Sequence, residues 1–259
     1  MIVYKLLRLI VHLFVGLSTC ALIFPFTNGA GREWRIKRWS SKVLAICGVR
    51  VEIKDAGGAP DVRRALIVAN HISWLDIFVI NSLQPCRFVA KSDIRDWPLI
   101  GWLCDKAGTI FIARGRQRDV RRIYEGLVAS IRAGERIAFF PEGTTGVQGN
   151  LLPFHANLFE AAIEAEASIQ PYALRYLDAS GNLHPAAEFV GDMTFAQSAM
   201  AILKSGGMKV EITILPAIGS GNAHRRELAA EARQSIRAAL EYVQNSVVRS
   251  TSPQACHSE

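Results

Sequence analysis

From residue 49 onward the chain alternates between short apolar runs and segments with helical periodicity, and this alternation most constrains what it can fold into. The runs VRVEI (49–53), ALIVA (65–69), RFVA (87–90), TIFI (109–112), RIAFF (136–140), IQPYALRY (169–176) and VEITIL (210–215) are short and rich in Val, Ile and Phe. Buried parallel strands read this way because both of their faces are covered. Between them lie helical stretches. After Gln117, apolar residues recur at Val120, Ile123, Leu127 and Ile131. An Ala-rich stretch follows His155, and a third, from His224 to Val248, puts Leu228, Ala232, Ile236, Leu240 and Val247 on one face. The pattern predicts an α/β sandwich with a mostly parallel sheet flanked by helices. In such folds chemistry collects where strands end and helices begin. Half of the 259 residues are hydrophobic, enough for a large core.

The N-terminus follows another rule. Leu9 to Phe26 is an apolar run of about the minimum length for crossing a bilayer, interrupted by His12, Gly16, Ser18 and Thr19. No small-residue cleavage signature precedes Pro25, which argues against a signal peptide. Basic residues flank the run, and the heavier cluster (Arg32, Arg35, Lys37, Arg38) follows it. That asymmetry places the main domain on the cytoplasmic side of the inner membrane. The expectation is a membrane-associated helical segment over 1–48, spanning or interfacial, with an apolar helix packed on the domain as the alternative. A domain over 49–249 and a flexible tail over 250–259 complete the chain. Lys+Arg is 30 against 23 Asp+Glu, a formal net charge of +7. This favours anionic partners: nucleic acid, a phospholipid surface or a phosphorylated metabolite. Aromatics at 8% and the lack of a long basic run give no indication of nucleic acid. The five cysteines form no CxxC pair and read as reduced thiols.

The stretch NHISWLD (70–76) joins the run ALIVA to the next helical segment. One reading is local: Ser73 and Asp76 fit S-x-x-D, a capping box with Ser73 as N-cap. Another is catalytic. One turn separates His71 from Asp76, so the carboxylate can accept from the imidazole Nδ1–H and leave Nε2 as a base. The two are compatible. A metal site would need ligands that no HxxxH or Cys cluster supplies. No GxSxG elbow and no catalytic cysteine accompanies the histidine. A His/Asp pair without a protein nucleophile suits activation of a hydroxyl on the substrate.

Three further segments sit at strand ends. In FFPEGTTGVQGN (139–150), Gly143, Gly146 and Gly149 allow tight turns, and Glu142 is a charge that a plain turn does not need. GTIFIARGRQRDVRR (108–122) carries five arginines, of which Arg114 lies two residues past a strand. Guanidinium forks bind phosphate oxygens. Lys91 likewise follows a strand end. Pro171, inside IQPYALRY, marks an edge strand or a bulge.

Taken in order, NHISWLD, GTIFIARG, FPEGTT and IQPYAL resemble the four motifs of the glycerolipid acyltransferase family, over roughly residues 64–215. The FVAKSDI segment and the helix at WPLIGWLCDKAG are also similar. The resemblance implies a glycerol-3-phosphate acyltransferase-like sandwich. It implies O-acyl transfer from acyl-CoA or acyl carrier protein to a lysolipid hydroxyl, most directly from 1-acylglycerol-3-phosphate to phosphatidic acid. It makes His71 the base and Asp76 its orienting partner, with Lys91, Arg114, Glu142, Gly143 and Thr144 as substrate-binding residues. No metal or resident cofactor is implied. Two positions depart from the family pattern: Thr145 stands where F-P-E-G-T-R has arginine, and LLPFHANLF has His155 and Asn157 where P-F-K-x-G is usual. Both changes remove fixed positive charge, which brings forward a lyso-ornithine lipid or another lysophospholipid as acceptor. A non-enzymatic lipid-surface binding protein on the same fold is the alternative from another class. A hydrolase or transacylase using water or a second lipid is a third.

Overall fold

The computed structural model describes residues 2–57, 65–112, 117–221 and 223–251. Among these residues seven strands form one sheet: β1 (Val49–Asp55), β2 (Ala65–Ala69), β3 (Arg87–Lys91), β4 (Ile110–Ile112), β5 (Ile137–Phe139), β6 (Ser168–Leu177) and β7 (Met208–Ile214). Their order is β1-β7-β6-β2-β5-β3-β4. Every pairing is parallel except β6 with β7. The seven apolar runs of the sequence are these strands, with ends shifted by a residue or two. Among the described residues, eight α-helices accompany them: α1 (Ile2–Ser18), α2 (Gly29–Cys47), α3 (Leu75–Leu83), α4 (Ile100–Lys106), α5 (Gln117–Arg132), α6 (Phe159–Glu164), α7 (Phe195–Lys204) and α8 (Arg225–Thr251).

The pleat of β2 shows why both faces are covered. Ile67 and Ala69 join a core with Leu44 of α2, Leu75 and Val79 of α3 and Ile202 of α7. Leu66 and Val68 join the opposite core with Leu127 and Ile131 of α5, Phe159 of α6 and Leu228 of α8. All five β2 residues are buried, so a period of two feeds two separate cores. Truncating a residue such as Leu66 to Ala costs roughly 2–5 kcal/mol. The sequence reading contains no helix at α7. Its signal is nevertheless there: Thr194 and Gln197 form a capping box in which each side chain meets the other's backbone N–H.

Pro171 lies inside the sheet, not on an edge strand. Two residues of β6 separate Ile169 from Tyr172, while three residues separate their partners Ile218 and Ile214. The chain opposite Pro171 therefore bulges, and the missing N–H falls where the ladder is already interrupted.

At the N-terminus, α1 and α2 form an antiparallel hairpin. His12 Nε2–H donates to Trp39 O and Trp39 Nε1–H donates to His12 O, each at 3.0 Å, with the two rings stacked. Leu6 and Leu9 turn inward onto the core shared by α2, α3 and α7. Glu33 of α2 pairs with Arg136 at 2.7 Å, just before β5. The opposite face of α1 is apolar and exposed, from Val3 at 80% through Leu7 and Val11 to Phe14, and Phe26 in the turn that follows is 89% exposed. Ile2–Phe26 is long and apolar enough to cross a membrane, with mean hydropathy 2.1.

Candidate active site

The C-terminal edge of the sheet gathers the site. β2 ends at Ala69, while β6 runs on past Tyr172, the last residue it pairs with β2. Side-chain amides then replace the missing strand. Asn70 Nδ2 donates to Leu174 O at 2.9 Å, and Asn70 Oδ1 accepts from Leu174 N at 2.8 Å. Two residues further, Gln148 Oε1 accepts from Tyr176 N at 2.7 Å. Asn70 thereby fixes the exit of β2, and Gln148 fixes the Gly-rich loop to the same strand.

His71 follows directly. Its Nδ1 lies 2.8 Å from Asp76 Oδ2. A carboxylate accepts, so Nδ1 carries the proton and Nε2 keeps its lone pair. The ring stacks flat on Phe140, with centroids 3.9 Å apart. Asp76 is fully buried and takes three more hydrogen bonds. Its Oδ2 accepts from Ile72 N at 2.7 Å and Ser73 N at 2.9 Å, and its Oδ1 accepts from Tyr176 Oη–H at 2.7 Å. Burial first, then the neighbouring Asp76 charge, push the Tyr176 phenol well above its ordinary range. It therefore stays protonated and donates.

The capping-box expectation is corrected here. α3 starts at Leu75 without a side-chain cap, and Ser73 Oγ is buried without a hydrogen-bond partner. Asp76 reaches back to the loop N–H groups itself, so one carboxylate both closes the helix start and serves the histidine.

Glu142 clamps the loop from the other side. Oε1 accepts from His71 N at 2.7 Å and Oε2 from Leu152 N at 2.9 Å. Burial raises its pKa, and these two N–H groups oppose the rise. Arg233 of α8 donates to Leu151 O and Leu152 O at 2.7 and 2.9 Å. A chain of contacts thus runs from α8 through the Leu152 peptide and Glu142 to the backbone of His71. Gly143 closes the Phe140–Gly143 turn at φ 70°, and a Cβ there would sit 3.2 Å from the His155 ring. The left-handed backbone and the close ring together require glycine. Thr144 is exposed beside it. The Thr145 hydroxyl donates to Phe189 O, and Phe189 N donates to Ile72 O at 3.0 Å.

The structure thus brings His71, Asp76, Glu142, Gly143 and Thr144 to one edge. Lys91 is exposed at the end of β3, one strand beyond β5. Arg114 lies outside the described residues. Tyr176, Gln148, Asn70, Phe140 and Arg233 are additions to the residues singled out in the sequence. Asn70, Phe140 and Gln148 lie within the stretches NHISWLD and FFPEGTTGVQGN, Tyr176 shares one face of β6 with Tyr172 and Leu174 by alternation, and Arg233 had no local signal. A cavity of about 280 Å³ lies on the α8 side of the loop, bordered by Gln148, Arg175, Arg233 and Arg237. Arg175 is occupied there by a buried pair with Glu211. Among the described residues, no group of three or more His, Cys, Asp or Glu is placed to hold a metal ion.

The class is therefore an α/β protein whose strand-end site pairs a buried, fully hydrogen-bonded carboxylate with a histidine. The profile of the Acyltransferase family matches residues 50–175. The lyso-ornithine lipid O-acyltransferase of Pseudomonas aeruginosa is 38% identical over 206 residues, covering 80% of this chain and 78% of the relative. A 1-acyl-sn-glycerol-3-phosphate acyltransferase of Neisseria meningitidis is 40% identical over 140 residues, 54% of each chain. The crystal structure of the Thermotoga maritima 1-acyl-sn-glycerophosphate (LPA) acyltransferase, PlsC, matches with a TM-score of 0.67 at 17% identity, over 94% of this chain and 98% of that one, and so shares the fold. The chain belongs to the Acyltransferase family and is an acyltransferase.

Proposed function

We propose that the protein transfers a fatty acyl group from a coenzyme A or carrier-protein thioester to the free hydroxyl of a lyso-ornithine-type lipid at a membrane surface. The His71–Asp76 pair carries the reading. His71 Nε2 takes the hydroxyl proton as the oxygen attacks the thioester carbonyl. Asp76 holds the tautomer and stabilises the imidazolium. When the tetrahedral intermediate collapses, the C–S bond breaks, an ester forms, and the imidazolium returns its proton to the departing thiolate. The acceptor is itself the nucleophile, so no Ser or Cys is needed. Glu142 acts through the backbone it grips, keeping His71 in register with the 143–152 loop. No resident cofactor enters this scheme. Lys91 and Arg114 are the cations suited to the anionic donor.

Two observations support the acceptor class. The Thr145 hydroxyl is spent on Phe189 O, where the family pattern would place a phosphate-binding arginine. The chain also covers 78% and 75% of the lyso-ornithine lipid O-acyltransferases of Pseudomonas aeruginosa and Rhizobium meliloti, against 54% of the Neisseria meningitidis relative. An amino-acid head group, with one carboxylate and one ammonium, asks less of fixed positive charge than a phosphate dianion.

The hairpin supports an interfacial seat. α2 returns alongside α1 carrying Arg32, Glu33, Arg35, Lys37, Arg38 and Lys42 and is bolted to the domain through Glu33 and Arg136. A membrane-crossing α1 would drag those charges into hydrocarbon. Seated in the head-group layer, α1 buries its apolar face while the basic residues meet anionic lipid. The heavier basic cluster after the apolar run supports a domain on the cytoplasmic face of the inner membrane.

The test offers acyl-CoA and acyl carrier protein to purified protein in lipid, with lyso-ornithine lipid and lysophosphatidic acid in parallel. Product from lyso-ornithine lipid in excess of that from lysophosphatidic acid is expected. The reverse preference would overturn the acceptor assignment and leave the His71 chemistry standing.

A further inference from the structure

The segment between β3 and β4 is tightly wound and turns apolar groups outward. Residues Ser92–Asp96 make a 3-10 turn, and α4 follows at Ile100. Between them Leu99 holds φ at 63°, a left-handed conformation uncommon for any residue but glycine. The turn is so close that a Cβ on Gly101 would lie 2.1 Å from Arg95 O. Yet Leu99 is 51% exposed, and Trp97 and Trp102 are each 41% exposed. Backbone cost is thus accepted to display three large apolar side chains in water, and such a residue outside a core points to use.

The surroundings name the use. Lys106 sits 5.9 Å from the Trp102 ring and Arg95 sits 5.7 Å from the Phe111 ring, and both pair with Asp105, at 3.6 and 3.9 Å, so paired charges rim the apolar patch. Tryptophan flanked by Lys and Arg is the composition of a membrane–water interface. The patch is linked to the hairpin through α7: Trp97 meets its first residue, Phe195, and Leu6 and Leu9 of α1 pack on the core that holds Ile202 and Leu203 of the same helix. At the hairpin tip Leu22 and Ile23 are exposed. On the inner side, Trp97 meets Phe195 at 6.5 Å and Phe195 meets Trp74 at 4.9 Å. Trp74 lies three residues after His71.

We propose that the Trp97–Trp102 turn is a second membrane-insertion element, which seats in the head-group layer of an anionic bilayer beside the α1–α2 hairpin. It rests on the interfacial reading of that hairpin. Two separated contacts fix the tilt of the domain on the membrane, which one hairpin alone leaves free. The aromatic series from Trp97 to Trp74 then ties the lipid-facing turn to the loop that carries His71. Exposed tryptophans and leucine, on a domain whose hairpin also presents exposed apolar side chains, favour a bilayer over an acidic carrier protein as occupant.

The experiment uses the full chain with vesicles of phosphatidylcholine and phosphatidylglycerol, with and without brominated acyl chains. Brominated lipid is expected to quench tryptophan emission in the wild type. The double variant Trp97→Phe/Trp102→Phe should lose a measurable part of that quenching while the hairpin's Trp34 still reports. Leu99→Glu should lower vesicle partitioning about tenfold, with far-UV circular dichroism and thermal midpoint near wild type. Leu99→Phe should restore partitioning, which a folding defect would not predict. Undiminished quenching in the double variant, with wild-type partitioning of Leu99→Glu, would overturn the turn's role while leaving the hairpin's intact. If Leu99→Glu instead raised only the KM for acyl carrier protein, the patch would belong to that donor and the proposal would fall. A wild type that binds no vesicles would sink both readings.

Discussion

Two histidines show how differently the hairpin and the catalytic edge use the same side chain. His12 and His71 each commit one ring nitrogen to a hydrogen bond, and each stacks on an aromatic ring. The acceptor differs. His12 donates to the Trp39 carbonyl, in a site where burial, opposed by that hydrogen bond, and then the nearby Lys42 and Arg8 charges lower its pKa. It therefore stays neutral and serves as a staple between α1 and α2. His71 donates to Asp76, a buried carboxylate whose other contacts are all donors. A neutral carbonyl only holds a ring in place, whereas an ionised partner can also stabilise the proton the ring takes up. A buried histidine is a catalytic candidate when its partner carries charge and that charge is held in place.

The contrast breaks most sharply at Asp76. Asp76→Asn keeps the volume but removes the charge and confuses the tautomer, so acyl transfer should fall about 10³–10⁴-fold with vesicle binding unchanged. A fall of less than tenfold would put His71 on the same footing as His12. Tyr176→Phe should cost about tenfold in kcat. It leaves the Asp76 carboxylate with one donor fewer to hold its orientation, so the loss should fall on kcat with the KM for the acceptor unchanged. A raised KM with kcat unchanged would make Tyr176 a packing residue only.

On the hairpin side the effects are smaller and appear in stability. His12→Ala should lose about 1–2 kcal/mol, seen as a lower thermal midpoint, while kcat on a detergent-dispersed acceptor stays within about twofold. The pH response has a defined sign. The folded pKa of His12 lies below the ordinary 6.5, so below that value the unfolded chain binds more protons than the folded one. Stability contributed at this site is present above 6.5 and lost as pH falls toward the folded value. Wild type should therefore lose more stability than His12→Gln between about pH 7 and about pH 5. Parallel curves would remove His12 from the account.

Local patterns in the sequence carry much of this. The seven strands follow from runs of Val, Ile and Phe, and the α5 and α8 stripes from their spacing. The His71–Asp76 pair is legible because five residues of sequence are enough to bring the groups together. What stayed hidden depends on distance along the chain. Tyr176 is a hundred residues from the carboxylate it serves, and Arg233 reaches the loop from the last helix. Asn70 and Gln148 stand in for a strand, a role no propensity scale records. At Ser73 only half of the capping box forms, for a physical reason: Asp76 Oδ2 accepts from Ser73 N, but Asp76 N donates to the Ser73 carbonyl and leaves the hydroxyl without a partner.

The measurement that tests the central claim most directly is single-turnover acyl transfer by His71→Ala beside wild type, at saturating acceptor and with the fold checked by circular dichroism. The account predicts a loss of at least about 10³-fold in the chemical step with acceptor affinity unchanged. A variant that retains activity within tenfold of wild type would contradict it, because the proton would then have to leave the hydroxyl by a route that His71 and Asp76 do not supply.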